Sequence, residues 1–123
     1  MRALIVDDSG FIRDYVRSLL VQMGVMCAGA MNGRDGLDHL HETGAYDMLL
    51  VDWNMPVMNG LEMVKAVRQD RRFDAMKILM VTTEAENNFI EAALNAGADE
   101  YLVKPFDAKG LENKLQMVGL VDG

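Results

Sequence analysis

The feature of this chain that most limits its fold is a repeated alternation of short apolar runs with amphipathic stretches of helical period. The runs are Leu4-Ile5-Val6, Met26-Cys27-Ala28, Met48-Leu49-Leu50-Val51, Ile78-Leu79-Met80-Val81 and Tyr101-Leu102-Val103. Four of them are continuously apolar, the pattern of strands covered on both faces. Between them, Ile12, Val16, Leu19 and Met23 share one helical face, and Gly24 stands at the expected stop. Leu37 and Leu40 mark a second helix ending at Gly44. Leu61, Val64 and Val67 mark a third, with Asn59 as N-cap and Glu62 three residues on. Phe89, Ala93 and Leu94 belong to a fourth that stops near Gly97; Leu111, Leu115 and Val118 belong to the last, capped by Asp107. Strands joined by crossover helices build a parallel sheet with helices on both faces. The 123 residues suit one such domain spanning 1–123, without repeat, linker or effector segment, read as a stand-alone unit, the alternative being a piece cut from a larger protein.

In an open parallel sheet, ligands bind outside the carboxyl ends of the strands. The residues that leave those ends are Asp7 and Asp8 after the first run, Asp52 after the third, Thr82 and Thr83 after the fourth, and Lys104 with Pro105 after the fifth. The second strand ends in Gly29-Ala30, with nothing reactive. Taken singly, each has an ordinary explanation: an aspartate after a strand usually shapes a turn or caps a helix, and a lysine is usually solvated. Their convergence on one sheet edge outweighs those explanations.

Carboxylates gathered in one cleft raise one another's pKa unless a cation sits among them. Mg²⁺ suits this set, because it takes one or two carboxylates together with water and phosphate oxygens. Too few oxygens are available for a tight Ca²⁺ cage, and no His or Cys at these ends could hold zinc or copper. His39 and His41 fall on the second helix, where surface roles are expected. Metal, lysine and hydroxyl together serve phosphoryl transfer, which is catalysed by positioning and charge neutralisation. A carboxylate can be the nucleophile and form an aspartyl phosphate; Asp52, on the central strand, is the choice. No glycine-rich nucleotide cradle occurs, so the phosphoryl group comes from a partner or a small donor rather than bound ATP.

A formal net charge of -7 disfavours direct binding to a nucleic-acid backbone. The single cysteine, Cys27, rules out an internal disulfide and fits a reducing compartment. No apolar stretch approaches the ~20 residues that span a bilayer, so a cytoplasmic protein without membrane attachment is expected. The eleven methionines are read as scattered core filling.

Val6-Asp7-Asp8-Ser9, Asp52-Trp53-Asn54-Met55-Pro56 with Asn59-Gly60, Val81-Thr82-Thr83-Glu84-Ala85 and Lys104-Pro105-Phe106 resemble the motif set of bacterial two-component response-regulator receiver domains. The likeness covers nearly the whole chain, and the Asp-Trp-Asn-Met-Pro segment is that of chemotaxis-type receivers. It implies a flavodoxin-like (βα)5 fold with strand order 2-1-3-4-5. It implies Asp52 as phosphoacceptor, and Asp7, Asp8, Asp52 and the backbone carbonyl of Asn54 as the Mg²⁺ site. Lys104 would pair with phosphoryl oxygens and Thr82 would hydrogen-bond them. Thr82 and Tyr101 would form a switch, the tyrosine turning inward when the threonine moves, and Lys104-Pro105 would be cis. Asn54 and Glu84 flank the path by which water reaches the acceptor.

The implied role is a signalling phosphoacceptor, not an enzyme acting on a separate substrate. It would be charged by a sensor histidine kinase or phosphotransfer protein, with a protein target on the surface of the fourth helix, fifth strand and fifth helix. It would be a monomer or weak dimer. Two departures stand out. Thr83 is larger than the residue many receivers carry there and crowds the mouth of the site. From residue 84 onward the chain has eight acidic side chains and three basic ones, an acidic output face. The alternative is an aspartate-nucleophile phosphatase of the haloacid-dehalogenase type. That chemistry wants an acid two residues beyond the nucleophile, where this chain has Asn54, and no cap domain encloses a substrate.

Overall fold

The computed structural model describes residues 1–122. In chain order the elements are β1 (Arg2–Val6), α1 (Gly10–Gln22), β2 (Met26–Ala30), α2 (Gly33–Thr43), β3 (Met48–Val51), α3 (Gly60–Arg68), a 3₁₀ turn (Arg71–Phe73), β4 (Lys77–Thr82), α4 (Asn87–Ala96), β5 (Glu100–Val103) and α5 (Ala108–Met117). All strand pairs are parallel, in the order β2-β1-β3-β4-β5. This is the flavodoxin-like architecture expected from the sequence.

Strand side chains alternate between two packed faces. Leu4, Val6, Leu49, Val51, Ile78, Met80 and Tyr101 pack with Leu37 and Leu40 of α2, Met63, Val64 and Val67 of α3, and Ala93 of α4. Ala3, Ile5, Met48, Leu50, Leu79, Val81 and Leu102 pack with Val16 and Leu20 of α1 and with Leu111 and Leu115 of α5. Both faces are covered, which is why the central runs carry no polar alternation. The edge strand β2 pays no such tax on its sequence: Met26 is largely exposed and only Ala30 is buried.

The caps expected at Asn59 and Asp107 form, and Ser9 and Asn32 supply two more. Ser9 accepts from the Ile12 amide, Asn32 from Asp35 and Asp107 from Gly110. Asn59 and Glu62 form a reciprocal capping box. Helix α4 differs: Glu86 makes no side-chain cap, and Ala93 is its only fully buried residue, with Leu94 turned to solvent. On α3 the buried stripe is Gly60, Met63, Val64 and Val67, while Leu61 is only half-buried.

At the amino edge of the sheet, an unforeseen clasp gathers the far ends of several elements. The Arg68 guanidinium donates to the carbonyls of Gly97 (2.8 Å), Phe73 (3.0 Å) and Met76 (2.9 Å) and to Asp99 Oδ2 (2.9 Å). The same Asp99 oxygen accepts from the Ile78 amide at 2.8 Å. Gly97 ends α4 at φ 119°, and a Cβ there would lie 2.4 Å from Arg68 Cγ. The fully buried Phe73 is anchored by the 3₁₀ turn beside this clasp.

Val57, in the β3–α3 loop, adopts φ 70° and is 81% exposed. A β-branched residue is strained in the left-handed region, and an exposed valine gains little burial to offset the strain. Val57→Asn, whose side chain tolerates this conformation, is expected to raise stability by about 0.5–1.5 kcal/mol in urea denaturation with an unchanged m-value.

Candidate functional site

Strand register brings the functional residues together. Val6 pairs with Val51, so Asp7 and Asp52 leave adjacent strands side by side. Thr82 pairs with Val103, so Lys104 emerges beside the threonine. Asp7, Asp52 and Thr82 are all buried, while Asp8 lies exposed at the rim. One carboxylate oxygen from each of Asp7, Asp8 and Asp52 falls within a 4.8 Å cluster.

Lys104 Nζ lies 2.8 Å from Asp7 Oδ2 and 3.5 Å from Asp52 Oδ1. The other Asp7 oxygen accepts from the Ser9 amide at 2.9 Å, so the same turn that caps α1 aims this carboxylate. Arg13 Nη1 donates to the Asp7 backbone carbonyl at 2.6 Å, fixing the β1–α1 corner from outside. On the other side, Gly60 packs its backbone against Asp52: a Cβ there would lie 2.0 Å from the Asp52 carbonyl oxygen. The Gly60 amide donates to Trp53 at 2.9 Å, so only glycine lets α3 start this close.

Burial pushes the Asp52 carboxyl up to about 6, and the negative charge of Asp7 adds to the shift. Lys104 and the Trp53 amide pull the other way without cancelling it. Three carboxylates facing one ammonium leave the pocket negative. A divalent cation with a preference for hard oxygen donors fits that deficit and that donor set.

Beyond the acidic cluster, Glu84 is a junction that the sequence reading missed in this capacity. Its amide donates to Thr82 Oγ1 at 3.3 Å, its carbonyl accepts from the Tyr101 hydroxyl, and its carboxylate accepts from Asn54 Nδ2 at 3.3 Å. The only available signal was its position two residues beyond the threonine. Tyr101 is already buried against the α2–α3–α4 face, with burial raising its phenol to about 12. The inward turn expected on switching is thus the position its ring already holds. Trp53 is half-buried and meets the Phe89 ring of α4 edge-on at 5.1 Å. The Lys104-Pro105 bond is cis, as the resemblance implied. Thr83 is exposed beside the site and lines a groove with Lys104 and Pro105. His39 contacts the Tyr46 hydroxyl and His41 lies exposed, both away from the acidic cluster.

Residues 3–116 match the family described as the response regulator receiver domain. The chain is 41% identical over 119 residues to the chemotaxis protein CheY of Pseudomonas aeruginosa, covering 96% of this chain and 95% of that protein. It is 40% identical to CheY1 of Helicobacter pylori, covering 96% of both. The solved structure of the Vibrio cholerae chemotaxis protein CheY4 superposes with a TM-score of 0.88 at 38% identity, covering 95% of this chain and 97% of that one. An acidic cluster at the carboxyl edge of a 2-1-3-4-5 sheet, matched in fold and sequence along nearly its whole length, places this chain in the response regulator receiver domain family.

Proposed function

We propose that residues 1–123 form one receiver unit that accepts a phosphoryl group on Asp52 with Mg²⁺ as cofactor, and that acts as a signalling component rather than as an enzyme on a separate substrate. The observation that carries this reading is the ammonium of Lys104 set between Asp7 and Asp52 in a buried acidic pocket. Asp7, Asp8, Asp52 and the Asn54 carbonyl would hold the ion, which when bound offsets negative charge on the pocket and on the incoming phosphoryl oxygens. The Asp52 carboxylate is the nucleophile, its ionised form being the reactive one. Lys104 can leave its contact with Asp7 to pair with a phosphoryl oxygen, and the Thr82 hydroxyl, held only by the long bond from Glu84, is free to donate to another. Nothing in the fold or the comparisons favours the phosphatase alternative.

The donor would be a sensor histidine kinase or phosphotransfer protein. The target would dock on α4, β5 and α5, where Leu94 and Val103 are exposed and the Lys114–Glu100 pair spans 3.1 Å. Among the described residues no helix is long and apolar enough to cross a membrane. A cytoplasmic monomer or weak dimer, with no direct role for nucleic acid, completes the reading.

With Mg²⁺ and acetyl phosphate, the protein is expected to gain one acid-labile phosphoryl group, read by intact mass. Asp52→Asn should reduce labelling at least a hundredfold, and undiminished labelling would remove Asp52 from its role.

The raised Asp52 pKa also links charge to stability. The native state holds this proton more tightly than the unfolded chain, so Asp52 contributes full stability below pH 3.8 and loses it as pH rises to about 6. Above that range the ionised carboxylate is a cost. Without Mg²⁺ at pH 7.5, Asp52→Asn should therefore be more stable than wild type by roughly 1–3 kcal/mol, the gain shrinking towards pH 4. Equal stabilities at both pH values would refute it.

Mg²⁺ titration should change Trp53 emission, saturating at sub-millimolar to millimolar concentrations because the ion sheds its waters reluctantly. Asp8→Ala should weaken the response at least tenfold. A response no larger than that to NaCl of equal ionic strength would count against the metal assignment.

Thr82→Ala should still take the phosphoryl group but lose most of the coupling to the α4–β5 surface. Amide chemical shifts of residues 84–103, compared before and after phosphorylation, should move by less than half the wild-type change. Wild-type shifts in that variant would route the coupling elsewhere.

A further inference from the structure

Beside the acidic cluster lies a groove of about 460 Å³ lined by Phe11, Ile12 and Tyr15 of α1, by Thr83, and by Lys104, Pro105 and Phe106. Its walls are almost wholly apolar, and one of the residues that line it, Lys104, carries the ammonium that faces Asp7 and Asp52. Phe11 is 80% exposed, so the core does not require it. Tyr15 stays in place because its hydroxyl donates to the Phe106 carbonyl at 2.6 Å and its ring meets the Phe106 ring at 5.8 Å. That bond ties α1 to the loop following Lys104 and gives the groove a fixed wall.

We infer that this groove receives the apolar carrier of a small acyl phosphate, so that donors with an aromatic or branched acyl group charge Asp52 in preference to acetyl phosphate. The inference rests on the phosphoacceptor reading and names a donor class for that same site. Three observations support it. The volume lies in the ~300–1,000 Å³ range of small-molecule sites. Lys104 is shared by the groove and the acidic cluster, so a single small molecule in the groove lies within reach of the ammonium that would meet the phosphoryl group. The third is electrostatic. A chain of net charge -7, with Asp8 exposed on the rim, repels a small dianion at long range, and apolar contact offsets that repulsion. Burying each added methylene contributes ~0.8 kcal/mol, about fourfold in affinity.

The step balances without a further reactant. An Asp52 carboxylate oxygen attacks phosphorus as the bond from phosphorus to the acyl oxygen breaks. The electron pair of that bond leaves on the carboxylate product, for instance benzoate, and no proton is consumed.

The test compares benzoyl phosphate with acetyl phosphate at equal Mg²⁺, reading the second-order rate of Asp52 labelling by mass. Phe11→Ala and Tyr15→Ala should each lower the benzoyl-to-acetyl rate ratio at least fivefold. Val21→Ala, an exposed change farther along α1, should leave it unchanged. Taking the ratio cancels the intrinsic reactivity of the donors. A second reading is independent of labelling: benzylphosphonate should shift the amides of residues 11–15 and 106 more than methylphosphonate does. A ratio within twofold of wild type in both variants would overturn the inference. So would a concentration-dependent dimer in sedimentation that Phe11→Ala abolishes, since the groove would then be filled by a second copy. Labelling by acetyl phosphate with no change in ratio would leave Asp52 as acceptor and remove only the groove. Absence of labelling by either donor would strike the acceptor reading itself.

Discussion

The pocket depends on one unequal charge balance. Three carboxylates share a small volume with a single ammonium, and two of the three are nearly cut off from water. Desolvation of charge is costly in a protein interior and is recovered only by close, well-oriented partners. Lys104 meets Asp7 at hydrogen-bond distance but Asp52 only loosely. Asp7 is therefore the satisfied member and Asp52 the strained one, which is where burial and a neighbouring charge raise the pKa. Asp52 is left incompletely paired, and the stability lost there is supplied by the two apolar layers flanking the sheet.

Those layers also explain why the site is so well defined on a small scaffold. Asp52, Asp7 and Lys104 all follow strands whose side chains are buried on both faces, so a slip in register would expose core on each side. The corners are then set individually: Ser9 and Arg13 hold Asp7 from α1, while Gly60 lets α3 press against the Asp52 backbone. The Arg68–Asp99 clasp secures the opposite end of the sheet, far from the chemistry, where rigidity costs nothing in reactivity.

Strand runs, helix caps at Asn59 and Asp107, and the aspartates, threonine and lysine at the carboxyl edge could be read directly from the chain, because each depends on local pattern or on the rule that places ligands at that edge. Arg68 could not be read in this way. Its partners lie 5 to 31 positions away in sequence, and nothing local distinguishes it from a solvated arginine at a helix end. The junction role of Glu84, expected only beside Asn54 on the water path, escaped for a related reason: two of its three contacts run through its backbone, which composition does not register. The buried Phe73 sits on a 3₁₀ turn too short to show a period. Tyr101 was placed correctly on its strand, but the direction of its ring is a packing outcome of Thr82, Met80 and α4.

That packing outcome bears on how a charge at Asp52 would be felt at a distance. Thr82, Met80 and Tyr101 share the face covered by α4, and the Glu84 backbone joins the threonine hydroxyl to the tyrosine hydroxyl. Motion of Thr82 towards a phosphoryl group would break a bond of marginal length and shift the residue whose carbonyl holds Tyr101 in place. Helix α4 begins immediately beyond, with no side-chain cap, one fully buried residue, and an aromatic contact to Trp53, the residue after Asp52. It has the least apolar anchorage of the five helices, so it opposes displacement least. A two-state element needs a small gap between its states and a ligand that contacts them differently. The weak hold on α4 supplies the first condition, and the Thr82–Glu84–Tyr101 chain links it to the site where the second would act.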